Sequence, residues 1–342
     1  MQVKLIGIDL AKSVFQVCGV NQAGKVVFNR QRTREKFLAE LRKYPEVPIV
    51  MEACYSAHYW GRTLQAMGHD VQLIPPQHVK PFLRVNKTDA CDARAICEAS
   101  RRPDIHFVPV KSVEQQDLQL LQRLRSRHIR NRTALANQIR SIAAEYGLTF
   151  PKSLHQLRIQ LPHALEDADN NLSHVARDML AAMADDLRVL DRKVEHLTQR
   201  LTQLAGHSPD WQRLQSVPGI GPIIAAAILA AVGSGKQFRC GRDFSAWLGL
   251  VPRQHSSGST TRLLGISKNG DRELRALLIH GARAVMQRAA RRDDPLAHWL
   301  LALKERRGHN KAIVALANKS ARIAWRVIRY EETFDVHKAV AG

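Results

Sequence analysis

Acidic side chains are scarce in this chain of 342 residues. Its 31 Asp and Glu face 52 Lys and Arg, a formal excess of +21. A deficit of that size points to a polyanionic partner, foremost a nucleic acid. The positive charge is spread along the chain and not held in one amphipathic helix, which argues against a membrane surface. Long apolar runs are missing too. No stretch of 18 apolar residues occurs, and Met1–Leu5 lacks the charged and apolar regions of a secretory signal. Cysteine is sparse: Cys18, Cys54, Cys91, Cys97 and Cys240 are odd in number and include no Cys-x-x-Cys. That excludes a zinc ribbon and a disulfide framework and predicts reduced thiols. The expectation is a soluble cytoplasmic protein. The 45% apolar content is enough for two or three domains with a real core.

What is present centres on Asn86-Lys87-Thr88-Asp89-Ala90-Cys91-Asp92-Ala93-Arg94-Ala95. Thr88 reads as a helix N-cap, and Asp89 and Asp92, three apart, then share one helix face. Two adjacent carboxylates repel unless a cation lies between them, and Mg²⁺ suits hard oxygen ligands. Alone, the pair reads first as a solvated acidic face that favours the helix start, and the other acidic positions change that reading. Upstream, strands are expected over 3–9, 14–20 and 25–29, a helix over 33–44, and a strand from Val47 ending at Glu52. A helix over 56–67 and a strand over 71–74 follow. This β-β-β-α-β-α-β-α order is that of a ribonuclease H-like domain. If the first and fourth strands are neighbours, Asp9 and Glu52 project at one sheet edge. Asp89 and Asp92 can then pack across them, and four acids suit two Mg²⁺ ions that clamp a phosphodiester.

From Lys111 the pattern turns helical. Val113–Tyr146 has no Gly or Pro and carries Arg123, Arg125, Arg127, Arg130, Arg132 and Arg140, placed to follow phosphates or merely solvated. A second long helix is expected from Leu172 to Leu204. There Leu180, Met183, Leu187, Leu190, Val194, Leu197, Leu201 and Leu204 step by three and four as a coiled-coil seam. Its partner is either the first long helix or a second subunit. Val217-Pro218-Gly219-Ile220-Gly221-Pro222 before an apolar helix reads as a helix-hairpin-helix element, or as a plain turn. The stretch 251–262 reads as a polar, hydroxyl-rich loop flanked by Arg253 and Arg262. A serine there could attack phosphorus, or the loop could only contact phosphate. A basic amphipathic helix over 310–330 closes the chain.

Several of these motifs together resemble the DEDD transposases of the insertion-sequence 110 family. They are Gly7-Ile8-Asp9-Leu10-Ala11-Lys12, the strand ending at Glu52, Asn86-Lys87-Thr88-Asp89 with Asp92-Ala93, Val217–Gly221, Gly249-Leu250-Val251-Pro252-Arg253 and Ile266-Ser267-Lys268. The sequence Leu263–Lys268 is similar to that of the 1111-type subgroup. The resemblance implies a RuvC-like domain over 1–110 with Asp9, Glu52, Asp89 and Asp92 as metal ligands. It implies basic long helices and a coiled coil over 111–205, and a mostly helical transposase domain over 206–342. Ser257, before Gly258, takes the position of the family's nucleophile, with Ser256 the alternative.

The implied activity is RNA-guided DNA transposition. A guide RNA pairs with donor and target DNA, the serine forms a 5′-phosphoserine link, and subunits of a dimer or tetramer share active sites near the bacterial nucleoid. Lys12, Lys87, Arg123, Arg127, Arg130, Gly219, Gly221, Arg253, Arg262 and Lys268 are the candidate nucleic-acid contacts. The rival readings are a RuvC-like structure-specific nuclease that uses water, a non-catalytic nucleic-acid-binding protein, and an actin-like kinase. The last lacks its second phosphate loop here.

Overall fold

The computed structural model describes residues 2–83, 88–103, 105–258 and 260–340, with residues 339 and 340 described as backbone alone. It divides into two compact units, Met1–Val113 and Glu114–Gly342.

In the first unit the elements run β1 (Leu5–Leu10), β2 (Val14–Val20), β3 (Val26–Thr33), α1 (Arg34–Leu41), β4 (Ile49–Glu52), α2 (Ala57–Ala66), β5 (Val71–Ile74), α3 (Pro76–Val79) and α4 (Asp89–Ser100). The five strands form one sheet in the order β3-β2-β1-β4-β5. β1 pairs antiparallel with β2 and parallel with β4, so the expected adjacency of the first and fourth strands is met. Strand alternation sorts the side chains to two faces. Ile6, Ile8, Phe15 and Val17 meet Phe37, Leu41, Trp60 and Leu64 of α1 and α2 on one face. On the other, Val50 and Ile74 pack against Ile96 and Ala99 of α4, and Cys18 and Val20 against its Ala93 and Cys97.

Gly7 lets α4 lie down on β1. A Cβ there would come within 2.5 Å of the Cys97 sulfur and 2.7 Å of the Ala93 carbonyl oxygen. Asp9, two residues on, shares that face and points where α4 begins.

The second unit is mostly helical: α5 (Val113–Glu145), α6 (Leu154–Glu166), α7 (His174–Gly206), α8 (Pro209–Gln215), α9 (Pro222–Val232), α10 (Gly241–Trp247), a two-stranded hairpin of β6 (Pro252–Gln254) and β7 (Leu263–Ile266), then α11 (Arg272–Arg288), α12 (Pro295–Arg307), α13 (His309–Tyr330) and α14 (Val336–Val340). α5 spans about 50 Å at 1.5 Å per residue. α5 and α7 run antiparallel: Arg125 reaches Thr198 at 2.7 Å and Arg132 reaches Asp191 at 3.0 Å, one heptad further on in each direction. Leu180, Leu187, Val194 and Leu201 are buried at seven-residue intervals. Met183, Leu190, Leu197 and Leu204 are only half-buried.

At one end of the long helices, Ala136, Ile139, Leu157, Leu161, Leu180 and Leu187 form a separate core. At the other end, Leu118, Leu201 and Ala205 join one core with α9, α11 and α13. The stretch 251–262 is therefore not all loop: its first residues form β6. Among the described residues no helix is long and apolar enough to cross a membrane.

Gly7→Ala should destabilise the first unit by about 1–3 kcal/mol, because the added methyl meets backbone that cannot yield cheaply. Chemical denaturation of the full chain reads this directly; an unchanged midpoint would mean that α4 does not depend on this approach.

Candidate active site

α4 opens on an N-cap in which Thr88 Oγ1 accepts the Cys91 N–H at 3.3 Å. The cap fixes the first turn, and with it Asp89 and Asp92. One carboxylate oxygen from each of Asp9, Asp89 and Asp92 lies within 4.8 Å of the others. Asp89 is exposed, while Asp9 and Asp92 are half-buried. The Oδ1 atom of Asp92 is itself buried and has no hydrogen-bond partner among the described residues. A buried carboxylate oxygen without a partner is costly and calls for a cation or a donor.

Glu52 belongs to the neighbourhood but not to that cluster. Ile8 pairs with Met51, so Asp9, one residue before the end of β1, and Glu52, which ends β4, lie at one level on adjacent parallel strands. Val50 packs on the α4 face, and alternation puts Glu52 there too. Both charges act on one group: burial, then Glu52, then Asp9 push the Cys54 thiol up to about 11. Cys54 therefore stands as a neutral thiol beside the acids, and it donates to the Tyr55 carbonyl at 3.6 Å.

Two further side chains hold the arrangement, and sequence reasoning passed over both. Gln16 lies across from Asp9 in the β1–β2 pairing. Its Nε2 donates to Asn29 Oδ1 at 2.7 Å, and Asn29 Nδ2 donates to the Ala90 carbonyl at 2.9 Å. The sheet is thus tied to the first turn of α4. The available signal was a lone amide inside the apolar strand Val14–Val20.

Comparison with known proteins gives this cluster its context. Residues 6–147 match the DEDD transposase family of IS110 elements, and residues 211–296 match the transposase family IS116/IS110/IS902. The chain is 43% identical over 332 residues to the transposase for insertion sequence element IS1111A of Coxiella burnetii, covering 97% of this chain and 91% of that one. It is 45% identical over 337 residues to a probable family 20 transposase of Pseudomonas aeruginosa, with 98% and 99% covered. A pilin gene-inverting protein of Moraxella bovis is 25% identical over 347 residues, with 96% and 97% covered. The chain belongs to the IS110 family of transposases. Its chemistry is DNA strand transfer, and membership implies dependence on a divalent metal. Three hard carboxylate oxygens and one orphaned buried oxygen fit such an ion.

The transposase's other candidate residues lie in different settings. Ser257 is exposed near the tip of the β6–β7 hairpin, where a bridge to Thr260 and Gly258 at φ +56° close the turn. Ser256 Oγ accepts from Gln254 Nε2 at 2.9 Å. The hairpin base is held by the Ser267 N–H on the Val251 carbonyl, 2.8 Å, and the Lys268 N–H on the Gly249 carbonyl, 3.1 Å. Arg253, Arg262 and Lys268 are exposed around it.

Arg275 has gone inward, 7% exposed, and donates to the Leu248 and Asn269 carbonyls. Gly219, at φ +85°, is explained by packing: a Cβ would sit 2.8 Å from the Gly281 carbonyl oxygen. Gly221 faces open space. Arg123, Arg127 and Arg130 lie exposed on one face of α5, whereas Arg125, Arg132 and Arg140 bond within the unit. Lys12 is exposed just after β1. Lys87 lies outside the described residues.

Millimolar Mg²⁺ or Mn²⁺ should raise the melting temperature, by an amount worth about 2.7 kcal/mol at a hundredfold excess over Kd. Asp92→Asn should lose that rise and be at least as stable in EDTA, one like charge having been removed. A rise that survives in the Asp89→Asn/Asp92→Asn double variant would put the ion elsewhere. Asn29→Ala should weaken metal affinity about tenfold by loosening the first turn of α4, read by calorimetric titration.

Proposed function

We propose that this transposase is an RNA-guided DNA recombinase. Its first unit is a RuvC-like, ribonuclease H-like nuclease domain, and its strand-transfer nucleophile is Ser257. The observation that carries the reading is the convergence of Asp9, Asp89 and Asp92, with a buried orphan oxygen on Asp92, in a chain of the DEDD family. Asp9, Glu52, Asp89 and Asp92 would hold two Mg²⁺ ions. Bound there, these supply charge stabilisation to a phosphodiester and lower the pKa of whatever oxygen they bind.

The protein's own contribution is position. The Gln16–Asn29 relay and the Thr88 cap fix the carboxylates before substrate arrives, so little reorganisation is needed at the reacting phosphate. Ser257 attacks phosphorus through Oγ and the P–O3′ bond breaks. A 5′-phosphoserine forms, and the departing oxygen takes up a proton as a free 3′-hydroxyl while the serine proton is lost. Exposure of Ser257 on a hairpin with a firmly seated base supports this role, and Arg253, Arg262 and Lys268 can offset phosphate charge.

Guide RNA and duplex DNA would lie on the cationic surfaces, with Arg123, Arg127 and Arg130 following a phosphate backbone and Lys12, Lys87 and the Gly219–Gly221 turn adding contacts. The seven-residue rhythm of α7 supports a coiled coil with α5, and its half-buried second row supports assembly into a dimer or tetramer.

Ser257→Ala should abolish covalent protein–DNA adducts, a loss of at least about a thousandfold in strand transfer, while guide-RNA binding is kept. Ser256→Ala should retain the adduct. Gel analysis of denatured reaction products decides: adducts from Ser257→Ala overturn the assignment, and cleavage without any adduct points to a water-using nuclease.

A further inference from the structure

Beneath the serine-bearing hairpin lies a trough of about 900 Å³ that the strand-transfer chemistry does not use. Its walls are Leu263, Leu264 and Ile266 of β7, Trp299 of α12 and Val314 of α13. Leu263 is 63% exposed and Leu264 40%, a wide apolar surface to leave in water. Gly265 follows them in β7, and neither packing nor backbone conformation demands a glycine there. Its φ is not positive, and an added Cβ would meet nothing within 4 Å. A strand glycine of this kind leaves room for another chain to approach closely.

At one end the trough adjoins a second cavity of about 380 Å³, and Lys319 and Arg322 line both. Lys319 is 8% exposed and sits over the Trp299 ring at 4.9 Å. Arg242 joins the second cavity and Lys311 the trough; neither these two nor Arg322 has a carboxylate at ion-pair distance among the described residues. Arg326 does, pairing with Glu332 at 3.2 Å.

We propose that the trough holds an unpaired nucleotide of single-stranded DNA, base against the Leu264–Trp299 walls and phosphate toward Arg322 and Arg242. Apolar walls with cations at one end match a nucleotide, whose base is flat and weakly hydrated and whose phosphate is anionic. A duplex is excluded because its bases are stacked away from such walls. DNA is preferred to RNA because strand transfer acts on DNA strands; Asn310 and Asn318, also in the lining, could meet a ribose 2′-hydroxyl, which is why the test includes an oligouridylate. Strand exchange frees unpaired DNA ends, and the trough would keep one beside the hairpin. The inference rests on the proposed function only for that purpose, because binding needs no catalysis.

The test uses the full chain with a fluorescein-labelled oligothymidylate, the matched duplex and an oligouridylate, followed by anisotropy. Gly265→Leu adds a side chain to the trough's lining at a position where a Cβ meets nothing within 4 Å, and Leu264→Ser removes exposed apolar wall. Each should raise the Kd for oligothymidylate about tenfold and leave the duplex Kd unchanged. Ser257→Ala should bind oligothymidylate as the wild type does, so a failed nucleophile assignment leaves this result standing. Equal losses on single strand and duplex, or no loss on either, overturn the proposal. Tighter binding of oligouridylate than of oligothymidylate overturns it as well and gives the trough to RNA.

Discussion

The seating of α4 on β1 is the contact on which the candidate site depends. It forces three carboxylates together, which is unfavourable by itself. Two unit charges 4.8 Å apart repel by about 1 kcal/mol in water and roughly 3–4 kcal/mol at an effective dielectric of 20. Apolar packing of Ala93, Ile96 and Cys97 against the sheet opposes that repulsion, as does the hydrogen bond from Asn29 to Ala90. Gly7 makes the approach sterically possible. A helix held from its middle and clamped at its start can carry repelling groups on its first turn. A cation held there would relieve the repulsion without movement of the helix.

The serine hairpin follows the same logic with opposite chemistry. Its base is closed by backbone hydrogen bonds and by Arg275, whose guanidinium satisfies two carbonyls from inside the fold. Its described tip residues are exposed and include the hydroxyls of Ser256, Ser257, Thr260 and Thr261 and the guanidinium of Arg262. In each unit the candidate reactive group stands near the end of an element anchored elsewhere, so exposure costs little positional accuracy.

Much of this was legible in the chain. The apolar strand that stops at Glu52, and the Thr88 cap ahead of two aspartates, are read from local pattern; the first strand, expected to stop at Asp9, runs one residue further, to Leu10. Whether Glu52 joins the other acids depends on side-chain reach across a sheet, which no periodicity encodes. Gly219 is readable as a turn glycine, but its reason lies 62 residues away at Gly281, in a contact between elements that hydropathy cannot pair. α6 escaped notice because Pro151 and Pro162 mask an apolar rhythm that buries Leu157 and Leu161. The first strand of the hairpin hid inside a polar run because it is exposed throughout and so shows no alternation.

The arginines of α5 show where composition stops and structure begins. Six of them read alike in sequence, as a basic helix. Folding divides them by helix angle: Arg125 and Arg132 turn to α7, and Arg140 caps the carbonyls of Pro151 and Lys152. Arg158 of α6 shares Asp191 with Arg132, so one carboxylate ties three helices. Arg123, Arg127 and Arg130, at steps of four and three, are left on one outward face. A net charge of +21 therefore overstates what a polyanion meets, because part of it is spent on holding helices together. What a phosphate backbone can meet on α5 is the narrower stripe that internal bonding leaves over.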